Sequence, residues 1–202
     1  KIVFKKSNDM IMLTINILNL FQKLIPKKKY DFLICQGDTI SAFLCSYYCF
    51  LNSIKLIYLE SGLRTNDIYS PWPEEYFRQV ISKSSYYNFS PTKTSFDNLI
   101  NEGISKNKIS IIGNTIVDML VLIKKQYLSK ESIIKKLNIK YNFILKNKFI
   151  LITCHRRENH GEPFKRICKA LNRLSIIYPN YKLVFIVHPN PSIANNYKKF
   201  IN

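Results

Sequence analysis

The chain has 202 residues, 47% of them apolar and 22% charged, which suits one large globular domain or two small ones and excludes a disordered or fibrous chain. Thirty-one Lys and Arg against 13 Asp and Glu give a formal charge of +18, a balance that points to nucleic acid or an anionic membrane when it is concentrated in one patch. Here the lysines are spread along the chain apart from Lys27-Lys28-Lys29, Arg is scarce, and no basic segment carries interleaved aromatics, so the charge reads as a solvated surface inflated by an AT-rich coding bias.

The predicted elements run in alternation. Met10, Leu13, Ile17, Leu20, Phe21 and Leu24 have helical spacing over 10–25, and Pro26 ends the run. Residues 32–35 form a short apolar run suited to a buried parallel strand. Gln36-Gly37-Asp38-Thr39 breaks it, and a helix is predicted over 40–51. A second strand, 55–59, ends at Glu60. After a loop come a helix over 74–84 with Pro73 at its start, a strand over 85–89, a helix over 92–102 closed by Gly103, and a strand over 108–112. Residues 114–125 read as a helix and 130–148 as a Lys-rich helical and linking region. A strand over 149–154, a helix over 163–177 and a strand over 182–187 complete the series.

Strand and helix in alternation predict α/β architecture with parallel sheets, one in 1–113 and another in 114–202. In such sheets ligands bind at the carboxyl ends of the strands, where Asp38 and Glu60 stand on successive strands. Neither sheet has enough strands to be complete, so both ends of the chain are expected to be missing from a larger protein. No run of about 18 uninterrupted apolar residues suggests a membrane span, and Lys1-Ile2-Val3-Phe4-Lys5-Lys6 does not open a signal peptide. The five cysteines (Cys35, Cys45, Cys49, Cys154, Cys168) form no C-x-x-C pair and have no His at ligand spacing. A reducing, cytoplasmic setting and no metal are expected.

Two clusters carry candidate chemistry. Four of the 13 acids (Glu60, Asp67, Glu74, Glu75) fall between positions 60 and 75, together with the only Trp and a Pro71-Trp72-Pro73 segment. Asp38 joins this group by its place at a strand end. The second cluster is His155-Arg156-Arg157. Neighbouring carboxylates shift one another's proton affinity, so one serves as acid and another as base. A His beside arginines suits a phosphate or diphosphate. Arg64, Arg78, Arg156 and Arg157, four of the six arginines, lie in or near these clusters, a placement that suggests bidentate jobs rather than solubility. Other readings stay open: Glu60 could pair with Arg64, His155 could cap a strand, and Arg157 could lie on the surface.

The segments QGDT, YLESGLRTNDIYSPWPEE, FSPT, IIGNTIVD, HRRENHGEPF and VHPNP resemble, in order and spacing, the bacterial non-hydrolysing UDP-N-acetylglucosamine 2-epimerases. The resemblance runs through nearly the whole chain and matches the middle of such an enzyme. It implies a GT-B fold, two Rossmann-like domains with the active site in the cleft between them. It further implies a cytoplasmic homodimer that interconverts UDP-GlcNAc and UDP-ManNAc through a 2-acetamidoglucal and needs no cofactor. Carried over by position, Asp38, Glu60 and Glu74 are the acid/base carboxylates, and His155 contacts the nucleotide sugar. Glu75, Arg156 and His188 fall on a second site where UDP-GlcNAc acts as an activator. Gln36 stands where the family has His, Ser61 where it has Ala, and Phe77 where it has Asn. Residues 1–202 alone are expected to show no turnover. The competing readings are a hydrolysing 2-epimerase that releases UDP and ManNAc, a basic nucleic-acid-binding module, and an inactive remnant.

Overall fold

The structure, a computed structural model, describes residues 9–25, 30–154, 159 and 161–187. It divides into two compact units, Lys1–Met119 and Leu120–Asn202. Each holds parallel strands joined by helices, as the alternation predicts.

In the first unit, strands β1 (Phe32–Gln36), β2 (Lys55–Leu59), β3 (Tyr87–Ser90) and β4 (Ile109–Ile111) form one sheet in the order β1-β2-β3-β4, every pair parallel. Parallel neighbours need a crossover, and helices supply it: α2 (Ile40–Leu51), α3 (Glu74–Ser84) and α4 (Lys93–Asn101), with α1 (Met10–Leu24) before β1. The helix starts follow from their caps. Asp9, Thr39 and Thr92 each accept a backbone N–H of the first turn, from Ile11, Ala42 and Ser95 respectively. The core packs α2 and α3 onto the sheet through Cys35, Ala42, Tyr48, Cys49, Leu56, Tyr58, Phe77 and Ile81. Phe77 stacks on Phe43 of α2 with ring centroids 4.7 Å apart.

Most boundaries differ by a residue or so from those read in the sequence, and two of the differences have a local reason. Strand β3 begins at Tyr87 rather than Ser85, because Ser85 finishes α3, its hydroxyl donating to the Ile81 carbonyl at 2.7 Å. Strand β4 is shortened at its start by a 3₁₀ turn over Lys106–Lys108.

Helix α5 (Thr115–Gln126) runs across the division between the units. The second unit then has α6 (Glu131–Lys140) and α7 (Asn142–Leu145), two real helices where the sequence suggested a helical and linking stretch. Strand β5 (Lys148–Thr153) pairs in parallel with β6 (Tyr181–Ile186), crossing over through α8 (Glu162–Ile177). Cys154, Phe164 and Cys168 pack together with Ile167 and Phe185 between α8 and the strands. Among the described residues no helix is long and apolar enough to cross a membrane, and no group of three His, Cys, Asp or Glu is gathered as metal ligands.

Candidate active site

Strand register sets the site. Gln36, the last residue of β1, lies opposite Leu59, the last of β2. Adjacent strands are about 4.8 Å apart, so Asp38 and Glu60 leave the sheet as near neighbours at its carboxyl edge. The turn after β1 uses Gly37 at φ +76°, a conformation that L side chains adopt rarely. Glu60 itself has φ +64°. A residue with a side chain in the left-handed region is uncommon, and such strain concentrates at functional positions.

Gln36 holds the Glu60 carboxylate. Its amide nitrogen donates to Glu60 Oε1 at 3.0 Å and to the Thr115 hydroxyl, at the start of α5, at 3.1 Å. The Gln that replaces the family's His thus supplies a donor to the neighbouring strand end.

Beyond Glu60 the backbone passes close under α4. Gly62 has φ +89°, and a Cβ there would lie 2.1 Å from the Ser95 carbonyl oxygen, so only glycine fits. Asn98 secures the same point by donating to the Gly62 carbonyl at 3.0 Å. Ser61 is fully buried and its hydroxyl donates to Asn88 Oδ1 at 2.6 Å, while Asn88 donates to the Ser82 carbonyl at 3.2 Å. The hydroxyl that distinguishes Ser61 from Ala is therefore satisfied. Asp67, one of the four clustered acids, folds the loop: its Oδ1 accepts the Tyr69 N–H at 3.0 Å and its carbonyl the Ser70 N–H at 2.9 Å. The peptide bonds Ser70–Pro71 and Trp72–Pro73 are both cis.

Helix α3 then brings three polar groups to the strand ends. Glu74 is its first residue, half-buried, at the helix terminus that favours a negative charge. Among the described residues nothing bonds to its carboxylate. Glu75 is fully buried. Its Oε1 accepts from Gln79 Nε2 at 3.1 Å, and its Oε2 from the Thr65 N–H at 3.2 Å and from Arg78 Nη1 at 3.4 Å. Arg78 continues to Asp38, where Nε at 2.9 Å and Nη2 at 2.5 Å both reach Oδ2.

The two arginines of this region do different jobs. Arg64 is nearly inaccessible and grips Glu102 with two bonds, Nε to Oε1 at 2.5 Å and Nη2 to Oε2 at 2.9 Å, while also donating to the Leu63 carbonyl and the Ser82 hydroxyl. It ties the loop to the end of α4 and does not pair with Glu60. Arg78 belongs to the carboxylate cluster, bridging Oδ2 of Asp38 and Oε2 of Glu75. Beneath them, burial pushes the Tyr58 hydroxyl well above its ordinary range, with Arg64 and Arg78 pulling weakly the other way.

The structure links Asp38 and Glu75 through Arg78 and places Glu60 at the end of the adjacent strand, while Glu74 opens the helix that carries Glu75 and Arg78. His155, Arg156, Arg157 and His188 lie outside the described residues.

Comparison with known proteins identifies the family. A family model described as UDP-N-acetylglucosamine 2-epimerase matches residues 2–202. The UDP-N-acetylglucosamine 2-epimerase of Escherichia coli (strain K12) is 35% identical over 192 residues, covering 95% of this chain and 51% of that protein. The crystal structure of the UDP-GlcNAc 2-epimerase from Neisseria meningitidis bound to UDP-GlcNAc superposes with a TM-score of 0.91 at 35% identity, over 97% of this chain and 53% of the other. That of the Methanocaldococcus jannaschii enzyme in complex with UDP-GlcNAc and UDP gives 0.79 at 29% identity, over 96% and 51%. The chain thus spans about half the length of the curated relatives it matches.

Proposed function

The chain belongs to the UDP-N-acetylglucosamine 2-epimerase family, and from that premise we propose that its protein interconverts UDP-GlcNAc and UDP-ManNAc without net hydrolysis. The observation that carries the proposal is the position of Asp38 and Glu60 just past the carboxyl ends of adjacent strands, with Asp38 held by Arg78 of α3, the helix that Glu74 opens.

The reaction needs what these groups offer. A base takes the proton from carbon 2 of the sugar. The electron pair of that bond forms the carbon 1–carbon 2 double bond, and the carbon 1–oxygen bond breaks with its pair leaving on UDP. The product is a 2-acetamidoglucal. In the return, UDP oxygen adds to carbon 1 and a protonated carboxyl delivers hydrogen to the opposite face of carbon 2. Two carboxyl groups on opposite faces of the ring therefore serve as base and acid, and three candidates are present. Cationic support for the departing diphosphate falls to groups such as His155 and the arginines that follow it. A second, activating UDP-GlcNAc at Glu75, Arg156 and His188 would require Glu75 to leave the donors that now bury it.

The test is product analysis with the full-length protein in D₂O. UDP-ManNAc should accumulate from UDP-GlcNAc to a constant ratio, with deuterium at carbon 2 of both sugars. UDP and free ManNAc as the only products would refute the non-hydrolysing reading. Replacing Glu74 by Gln should lower kcat by about 100-fold or more, the usual contribution of a positioned acid or base.

A further inference from the structure

Glu75 is the most deeply buried ionisable group at the site, and the proposed chemistry does not use it. Its neighbour in sequence, Glu74, is half-buried and has no partner among the described residues. Successive residues of a helix point about 100° apart, so the two carboxylates of one Glu-Glu pair serve different directions. Glu75 is turned inward, where a carboxylate is tolerated only when fully compensated. Compensation comes from three donors: the Thr65 N–H, Gln79 Nε2 and Arg78 Nη1.

The same guanidinium that closes on Glu75 also holds Asp38. Its Nη1 faces Glu75, while Nε and Nη2 both settle on Oδ2 of Asp38. Side-chain exposure rises along the series, from 0% at Glu75 through 16% at Arg78 to 30% at Asp38. Both bonds take the same oxygen of Asp38. Its other oxygen, Oδ1, has no partner among the described residues. The series is thus a buried anchor, a rigid planar link and a partly exposed working group.

We propose that Glu75 and Arg78 are positioning residues: Glu75 acts on the reaction through Arg78, which fixes Oδ2 of Asp38 and leaves Oδ1 to face the substrate. Glu75 itself touches no nucleotide sugar. The inference rests on the reading that Asp38 works at the reacting centre. It assigns Glu75 a task different from the activator contact that the family resemblance implies.

The experiment uses the full-length protein and UDP-GlcNAc. Arg78→Lys keeps the charge and removes the fork, so kcat should fall about 10- to 100-fold, the cost of misplacing a reacting group, with KM within about twofold of wild type. Arg78→Gly should fall further and recover in millimolar guanidinium. Glu75→Gln should also lower kcat rather than raise KM, and Glu75→Gln combined with Arg78→Lys should be no slower than Arg78→Lys alone, because both act through one link. In an Asp38→Asn background, Arg78→Lys should have no further effect. The proposal is overturned if Arg78→Lys keeps wild-type kcat. It is equally overturned if Glu75→Gln keeps kcat at saturating substrate and loses only a sigmoidal response to UDP-GlcNAc. A fall in melting temperature without a change in kcat and without guanidinium rescue also sinks it, since that is a purely structural role. Wild-type protein that turns over while Arg78→Lys is unimpaired leaves the proposed function standing. Wild-type protein without epimerisation removes both.

Discussion

Glu60 stands in the left-handed region at φ +64°, a conformation that costs a residue with a side chain about 1–3 kcal/mol. The strain is testable without any assay of activity. Glu60→Gly and Glu60→Ala both lose the bond to Gln36, but only glycine relaxes the backbone, so the Gly variant should be more stable than the Ala variant by about 1 kcal/mol in urea unfolding. Equal midpoints would show that the backbone there is unstrained. Phe77 offers a second residue-scale test. It is buried against Phe43, so Phe77→Asn, the residue usual in the family, should cost about 3 kcal/mol or more by emptying the core and burying an amide. The acids at strand ends were legible from the chain because a polar residue closing an apolar strand is a local pattern. The two arginines were not separable in that way. Arg64 finds Glu102 38 residues later, and Arg78 finds Asp38 40 residues earlier, so nothing in their immediate neighbours distinguishes the scaffold arginine from the site arginine.

Helix α3 shows how an element does two jobs. Phe77 and Ile81, four apart, face the core, while Glu75 and Arg78, three apart, bond to each other and Arg78 reaches Asp38. The hydrophobic spacing of this helix and the alternation of strands could be read without coordinates. The helices α6 and α7 could be read only in part, because their apolar positions are diluted by lysines and become a face only against β5 and β6. There Leu128, Ile134, Leu137, Tyr141 and Ile144 meet Phe149, Leu151 and Val184 around an apolar pocket of about 460 Å³. The β1–α2 pairing makes a further prediction. Cys35 is pushed by burial from an ordinary 9.0 up to about 12. Burial likewise raises Tyr58, whereas the free thiols of Cys45 and Cys49, hydrogen-bonded to each other on α2, move in opposite directions, Cys45 down and Cys49 up. A thiol whose folded pKa is raised binds more protons in the native than in the unfolded chain between about pH 9 and 12. The associated stability is complete below pH 9 and is lost as pH rises through that window. The urea midpoint should therefore decline from pH 9 toward pH 11, and Cys35→Ser or Cys35→Ala should flatten part of the decline.

At the scale of the molecule, 31 Lys and Arg against 13 Asp and Glu, with the lysines spread along the sequence, repel one another. Added salt should raise the unfolding midpoint modestly by screening, with most of the gain reached by about 0.15 M, where the screening length falls to about 8 Å. A midpoint that drops on adding salt would mean that native ion pairs outweigh the repulsion. The strands of the first unit lie in the sheet in the order in which they are synthesised. Among the described strands of this unit, each one after β1 therefore pairs with the strand made just before it, which keeps the contacts between successive strand–helix segments local. The Asp38–Arg78–Glu75 contacts draw only on the loop after β1, the loop after β2 and α3, whereas the Glu60 side is also tied to α4 through Gly62 and to α5 through Gln36. The ion-paired part of the cluster is thus local to residues 38–79, and the Glu60 side is fastened only once α4 and α5 have joined the sheet.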